Sequence, residues 1–119
     1  MGESMISKAL TTNAETAAAF LSLIGNEKRL LMMNHLADGE MSVGTLAEKV
    51  QLSQSALSQH LAKLRAFGLV ETRRDRQMVY YSCRSAAVRE LLELLDGLLA
   101  TGSSWRTDQT EGQRRPEAA

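Results

Sequence analysis

Residues 52–65 have the sequence Leu-Ser-Gln-Ser-Ala-Leu-Ser-Gln-His-Leu-Ala-Lys-Leu-Arg, and this stretch decides the fold of the 119-residue chain. Leu57, Leu61 and Leu64 recur at helical spacing, whereas the opposite side of the same helix carries small or polar residues. Ser53 is a typical N-cap. The pattern therefore predicts an amphipathic helix that begins after Ser53 and ends at Phe67-Gly68.

A shorter helix is predicted just before this one. Ser42 is in position to cap a helix over residues 43–50, and only residues 51–53 separate the two helices. Two short helices joined so tightly are typical of a helix-turn-helix.

The flanking segments complete the domain. One predicted helix begins after Thr12 or Asn13 and ends at Gly25, and a second covers roughly residues 27–38. After Gly68, residues 69–72 and 78–83 are strand-like and are joined by the polar turn 73–77, and a leucine-rich helix follows from Ser85 to about Ala100. The residues of the second helix expected in the core are Leu30, Leu31, Met33 and Leu36, and Met32 is expected to fill the core beside Met33.

The predicted order is therefore four helices, two strands and a last helix. This is a mainly helical α+β fold, a winged helix-turn-helix, whose second helix of the pair enters the major groove of DNA. We expect one domain over residues 13–100, a flexible N-terminus over residues 1–12, and a mostly disordered tail over residues 101–119.

Charge is segregated along the chain although the totals balance at 14 basic and 14 acidic residues. Residues 53–84 hold six basic and two acidic side chains, so this third carries +4 and the remainder −4. Such asymmetry indicates one face prepared for a polyanion. No segment is typical of a membrane span or a secretory signal, so a cytoplasmic protein with no membrane partner is expected.

The outward side of the helix over residues 53–67 and the arginine-rich turn are the candidate DNA-binding surface. Small polar side chains allow close approach to the groove, and glutamine amides can pair with base edges. An ordinary solvated helix face and a solubilising charge cluster on an edge strand are the structural alternatives. The candidate DNA-binding residues are Ser53, Gln54, Ser55, Ser58, Gln59, Lys63, Arg73, Arg74 and Arg76.

These motifs resemble the ArsR-type winged-helix repressors of bacteria over about residues 14–100. The resemblance is carried by residues 52–65, by Gly68-Leu69-Val70, by the pattern Arg-Arg-Asp-Arg-Gln-x-x-Tyr-Tyr at residues 73–81, and by residues 26–30. It implies a homodimer, built mainly from the first and last helices, that binds an imperfect palindrome in double-stranded DNA and represses transcription. The candidate dimer-interface residues are Ala17, Phe20, Leu21, Leu91, Leu92, Leu95 and Leu98.

The sensor residues of such repressors are not present in this sequence. Ser42 and Gly44 stand where metal-sensing members carry a cysteine pair, and residues 85–100 contain no histidine. Cys83 is the single cysteine, whereas the persulfide-type sensors use two. We therefore predict no metal, no cofactor and no built-in thiol switch, and the sequence does not specify an effector. His60 is expected to be a packed, hydrogen-bonded residue.

The sequence leaves two other function classes as alternatives. A winged-helix module that binds a protein partner would use its basic residues only for solubility. An enzyme is the least favoured class, because paired carboxylates, a nucleophile with an adjacent base and a glycine-rich phosphate loop are all missing from the sequence. No catalytic residue is predicted.

Overall fold

A computed structural model describes residues 6–102 and Trp105, and within that part it contains six helices and three strands. The predicted winged helix-turn-helix is confirmed. Most of the predicted tail, residues 101–119, lies outside the described residues. The elements in chain order are α1 (Lys8–Thr12), α2 (Ala14–Ile24), α3 (Glu27–Asp38), β1 (Met41–Ser42), α4 (Val43–Val50), α5 (Gln54–Ala66), β2 (Glu71–Asp75), β3 (Met78–Ser82) and α6 (Ala86–Ala100).

Side-chain caps define where most of the helices begin. In each case a side-chain oxygen accepts a hydrogen bond from the backbone N–H three residues further on, which satisfies one of the unpaired donors of the first turn. An N-cap of this type contributes about 1 kcal/mol. The capping residues are Ser7, Asn26, Ser42, Ser53 and Ser85.

The tight turn between α4 and α5 depends on Gln51. This residue has a φ of 59°, in the left-handed region, and ends α4. The backbone N–H of Leu52 then donates to the Ala47 carbonyl at 3.0 Å, so the chain reverses without leaving this carbonyl unpaired. Gly68, with a φ of 85°, ends α5 in the same conformational region, which glycine adopts without a steric cost.

The sheet has the order β1-β3-β2 and is antiparallel throughout. The predicted strand boundaries were wrong. β2 covers Glu71–Asp75 rather than residues 69–72, and the turn is two residues long rather than five, because the ladder continues through the pair Asp75 and Met78. Exposed charged residues remain compatible with strand pairing when their side chains reach solvent.

The core lies among α3, α4, α5 and the first turn of α6. Its fully buried members include Leu57, Leu61 and Leu64 from α5 and Val88 from α6. The prediction for α3 was partly wrong: Leu31 is 38% exposed, whereas Met32, Met33 and Leu36 are buried as expected.

Two short elements were not predicted. α1 lies in the segment expected to be a flexible N-terminus, where Ser7 caps its first turn. β1 pairs with β3 through Met41 and Tyr81 and through Ser42 and Tyr80. Two-residue strands carry too little alternation to be recognised in a sequence.

A surface on α2 and α6 remains apolar and exposed in the isolated chain. Leu21, Leu94 and Leu99 are 56%, 58% and 62% exposed. Ile24 is the one buried residue of α2, Phe20 and Leu23 pack partly against the core, and Leu21 remains exposed.

Candidate nucleic-acid interface

The buried leucine stripe of α5 determines which of its residues face outward. Because Leu57, Leu61 and Leu64 are fully buried, the opposite side of the helix is held toward solvent. Ser55, Ser58, Gln59 and Lys63 are all exposed there, as the sequence predicted. The exposed surface is therefore small and polar along the middle of the helix.

The beginning of α5 lies beside α4 and the hairpin. The Ser53 hydroxyl caps the helix through the Ala56 N–H at 3.1 Å, so it has a structural role at the position where a DNA contact was predicted. A Cβ at Gly44 would lie 3.6 Å from Nε2 of Gln54. The Gln54 amide therefore lies beside the first turn of α4, in van der Waals range of position 44.

The tip of the hairpin carries an unusual arginine. Arg76 and Gln77 form the two-residue turn, and Arg76 has a φ of 61°. The first central position of such a turn favours glycine when its φ is positive. A non-glycine residue in this conformation costs about 1 kcal/mol or more. Strain of this kind is common where the side chain serves a function.

Arg73 occupies a different environment from the one predicted for it. It lies within β2 rather than at the tip, and its guanidinium binds the Glu40 carboxylate through Nη2 at 2.6 Å and Nε at 3.3 Å. The same group lies over the Tyr80 ring, with 4.7 Å from Cζ to the centroid. The hydrogen bond from Arg73 is the main cause that lowers the pKa of Glu40.

Arg74 points to the other face of the sheet. Side chains alternate along a strand, so Arg74 shares a face with Thr72, which is paired with Tyr81. Tyr81 packs against the core, whereas Arg74 is exposed. The three wing arginines therefore occupy three distinct environments.

His60 forms the hydrogen bond that was expected. Its Nδ1 accepts from Nε of Arg29 at 3.1 Å. Burial is the main cause that lowers the pKa of His60, with smaller contributions from the positive charges of Arg29 and Lys63.

Ser42 and Cys83, which were considered as sensor positions, both have structural roles. The Ser42 hydroxyl caps α4 through the Thr45 N–H, and Cys83 is a buried core residue. Over the described ranges 6–102 and 105, no three histidine, cysteine, aspartate or glutamate residues come together to hold a metal ion. No helix in the same ranges is long and apolar enough to cross a membrane.

Comparison with known proteins agrees with this geometry. The model of the family described as "Bacterial regulatory protein, arsR family" matches residues 26–72. The chain is 58% identical to the nodulation protein NolR of Rhizobium meliloti over 86 residues, covering 72% of this chain and 70% of NolR. It is 44% identical to the transcriptional activator HlyU of Vibrio cholerae over 97 residues, covering 82% and 90% of the two chains.

A solved structure extends this likeness to three dimensions. The crystal structure of NolR from Sinorhizobium fredii superposes with a TM-score of 0.71 at 50% identity, covering 86% of this chain and all of that one. The chain belongs to the arsR family of bacterial regulatory proteins. It is accordingly a transcriptional regulator of the DNA-binding type, and the prediction that it is not an enzyme is confirmed by its relatives.

The Glu40 and Arg73 pair generates the first prediction. Glu40→Gln releases Arg73 and removes a negative charge beside the wing. Affinity for random duplex DNA should rise, and the slope of log affinity against log salt should steepen by about one. The thermal midpoint should hardly change, since exposed ion pairs contribute little to stability.

The matched control is Glu71→Gln, which removes an exposed charge from β2 where no arginine within residues 6–102 forms an ion pair with it. An equal steepening in both variants would mean that Arg73 is not held back by Glu40.

Proposed function

We propose that this regulator is a homodimeric, sequence-specific repressor that binds an imperfect palindrome through α5, hereafter the recognition helix, and through the wing at residues 73–77. The observation that carries the proposal is the exposed polar face of the recognition helix, directly opposite its fully buried leucine stripe. A helix of 13 residues is roughly 20 Å long and fits the major groove.

Gln59 is the proposed base reader. It lies near the middle of the recognition helix, on its exposed side, and the short side chains of Ser55 and Ser58 flank it. Its amide can pair with N7 and N6 of adenine, or rotate and donate to thymine O4 or guanine. One residue can therefore accept unlike bases in two half-sites. Gln54 and Ser55 are proposed to contact DNA from the first turn of the recognition helix, where the helix dipole favours phosphate.

Arg74 and Arg76 are the proposed phosphate contacts of the wing. Both are exposed and neither forms an ion pair with any described residue, unlike Arg73. The strained backbone of Arg76 supports this role, because glycine would be the less costly residue at that position. Lys63 adds a further charge on the exposed side of the recognition helix.

The proposed dimer joins the apolar faces of α2 and α6. Val88 anchors α6 in the core, whereas Leu95 and Leu98 are half-buried and Leu99 is exposed. Exposed apolar side chains grouped on two helices are typical of an interface between copies. Two copies would present two recognition helices to two half-sites.

Repression follows if the dimer occupies a promoter. The relatives support control of transcription, and one is named a nodulation protein and another an activator. A role in nodulation control is proposed here on that likeness. A reporter fused to a promoter selected by the protein from genomic DNA should lose expression when the protein is present, and increased expression would instead assign activation.

The alternative class, a module that binds a protein partner, makes a different prediction about salt. Affinity for random duplex should fall steeply with salt if several arginines and lysines neutralise phosphates. Absence of any duplex binding at low salt would favour the protein-binding module.

Gln59→Ala should reduce base discrimination at one position of each half-site by about 1–3 kcal/mol. Gln59 is exposed, so the fold should be unaffected. Binding is measured across all four base pairs at every operator position. The control Lys63→Ala should weaken binding uniformly across sequences. If base discrimination were unchanged in Gln59→Ala, Gln59 would not be a base reader and the proposal would pass to Gln54 and Ser55.

Arg76→Gly separates stability from binding. Glycine relieves the positive φ, so thermal unfolding should occur at the same or a higher temperature. Duplex affinity should nevertheless fall and the salt slope should flatten, because a phosphate contact is lost. Arg74→Ala should flatten the slope without the gain in stability. Retained affinity in Arg76→Gly would exclude Arg76 from the interface.

Leu95→Glu should give a monomer in sedimentation and abolish operator binding, because it places a charge in the leucine stripe. Leu99→Glu tests the same face at a more exposed position. The control is Gly97→Glu on the opposite side of α6, where an added Cβ meets no atom within 4 Å. A monomer for the unmodified protein would contradict the proposed dimer.

A further inference from the structure

The first turn of α3 lies behind the recognition helix and contacts three other helices. Asn26 caps this turn through the N–H of Arg29 at 3.1 Å, which orders the two basic residues that follow it. Nζ of Lys28 donates to the carbonyl of Val50 at 2.7 Å. Val50 is the last residue of α4, so Lys28 satisfies an unpaired carbonyl beside the helix-turn-helix.

Arg29 connects two helices that are far apart in the sequence. Its Nε donates to Nδ1 of His60 in the recognition helix at 3.1 Å, and its Nη1 donates to the carbonyl of Leu23 in the last turn of α2 at 3.0 Å. Both contacts are partly buried. The planar guanidinium fixes the directions of its donors, so the two bonds together constrain how α2 and the recognition helix lie relative to each other.

The chemistry of the Arg29 and His60 pair allows one arrangement. Arginine has donors and no acceptor, so Nδ1 of His60 must be the acceptor and the ring must be neutral with its proton on Nε2. At the C-terminal end of the recognition helix, Phe67 contacts Phe20 of α2, with ring centroids 6.4 Å apart. Ile24 of α2 also lies in the core cluster that contains the buried leucines of the recognition helix. These apolar contacts are less directional than the hydrogen bonds of Arg29.

We propose that Arg29 is a positioning residue that sets the angle between α2 and the recognition helix, and thereby the separation of the two recognition helices in the dimer. The inference rests on the proposed function, in which α2 belongs to the dimer interface and the recognition helix enters the groove. Half-sites lie one helical turn of DNA apart. A small change in this angle would therefore give the two recognition helices a separation that no longer matches the spacing of the half-sites.

The central variant is Arg29→Met, which keeps the aliphatic stem and removes both hydrogen bonds. With an operator that the wild type selects from genomic fragments, we expect operator affinity to fall about two- to thirty-fold. The preference among operators with one base pair more or less between the half-sites should also become weaker. Affinity for random duplex should change no more than in the control variant Arg89→Met.

The matched control is Arg89→Met on α6, an exposed position that loses the same charge. If Arg29→Met and Arg89→Met affected operator affinity and spacing preference equally, the effect would be one of net charge and the proposal would be wrong.

His60 variants test the hydrogen bond itself. Asparagine can place its side-chain oxygen near the position of Nδ1, so His60→Asn should retain most of the operator affinity. His60→Leu should lose operator affinity, but no more than Arg29→Met does, because it leaves the bond from Arg29 to the Leu23 carbonyl in place. The double variant Arg29→Met/His60→Leu should be no weaker than Arg29→Met alone, since Arg29→Met already removes the bond to His60. Additive losses, or an asparagine variant as weak as the leucine variant, would overturn the role of this bond.

A measurement without DNA separates the inference from the proposed function. Spin labels are placed at Ala19 of α2 and Ala62 of the recognition helix, two exposed positions, in a Cys83→Ala background diluted with unlabelled chain. The distance distribution should broaden or shift in Arg29→Met and remain narrow in Arg89→Met. An unchanged distribution in Arg29→Met overturns the inference, whereas failure of the wild type to bind any duplex would overturn only the proposed function.

Discussion

Leu57, Leu61 and Leu64 are fully buried, and the orientation of the recognition helix depends on their burial. Each buried leucine contributes roughly 1.5–3 kcal/mol. Rotation of the helix about its axis would expose this stripe, so one rotation is strongly favoured. The polar residues on the opposite side are then directed outward without needing any contact of their own. The packing of the core therefore determines which residues form the proposed binding surface.

Electrostatics adds a second constraint, and it acts residue by residue. The basic third of the sequence carries +4, but Arg73 is bound to Glu40 and stacked on Tyr80, so its charge is partly neutralised. Arg76 has an exposed side chain and a strained backbone with a positive φ. The wing thus divides into an arginine that holds the hairpin to the loop after α3 and arginines directed to solvent. The expected ligand of the solvent-directed group is a polyanion.

Local signals explain what the sequence could predict. The serine and asparagine caps and the leucine spacing of α5 located α3, α4, α5 and α6 to within about one residue. The same periodicity predicted which residues of α5 are exposed on its outward side. Leu31 was misplaced because α3 has apolar residues at four consecutive positions, 30–33, and periodicity alone could not decide which of them face the core.

Contacts between distant segments account for what was missed. Glu40 and Arg73 are 33 residues apart, and Arg29 and His60 are 31 apart, so no local pattern pairs them. The hairpin turn was predicted too long because charged residues were taken as turn formers, whereas strand pairing in fact continues to Asp75. The roles of Arg73 and Arg29 are therefore visible only in the folded structure.

The central claim is that the outward side of the recognition helix and the wing tip form the surface that meets DNA. An NMR titration of ¹⁵N-labelled protein with random-sequence duplex at low salt tests it most directly. The largest backbone shift changes are expected at residues 53–63 and 74–77, and they should decline as salt is added. Shift changes concentrated on α2 and α6, or none at saturating duplex, would contradict it.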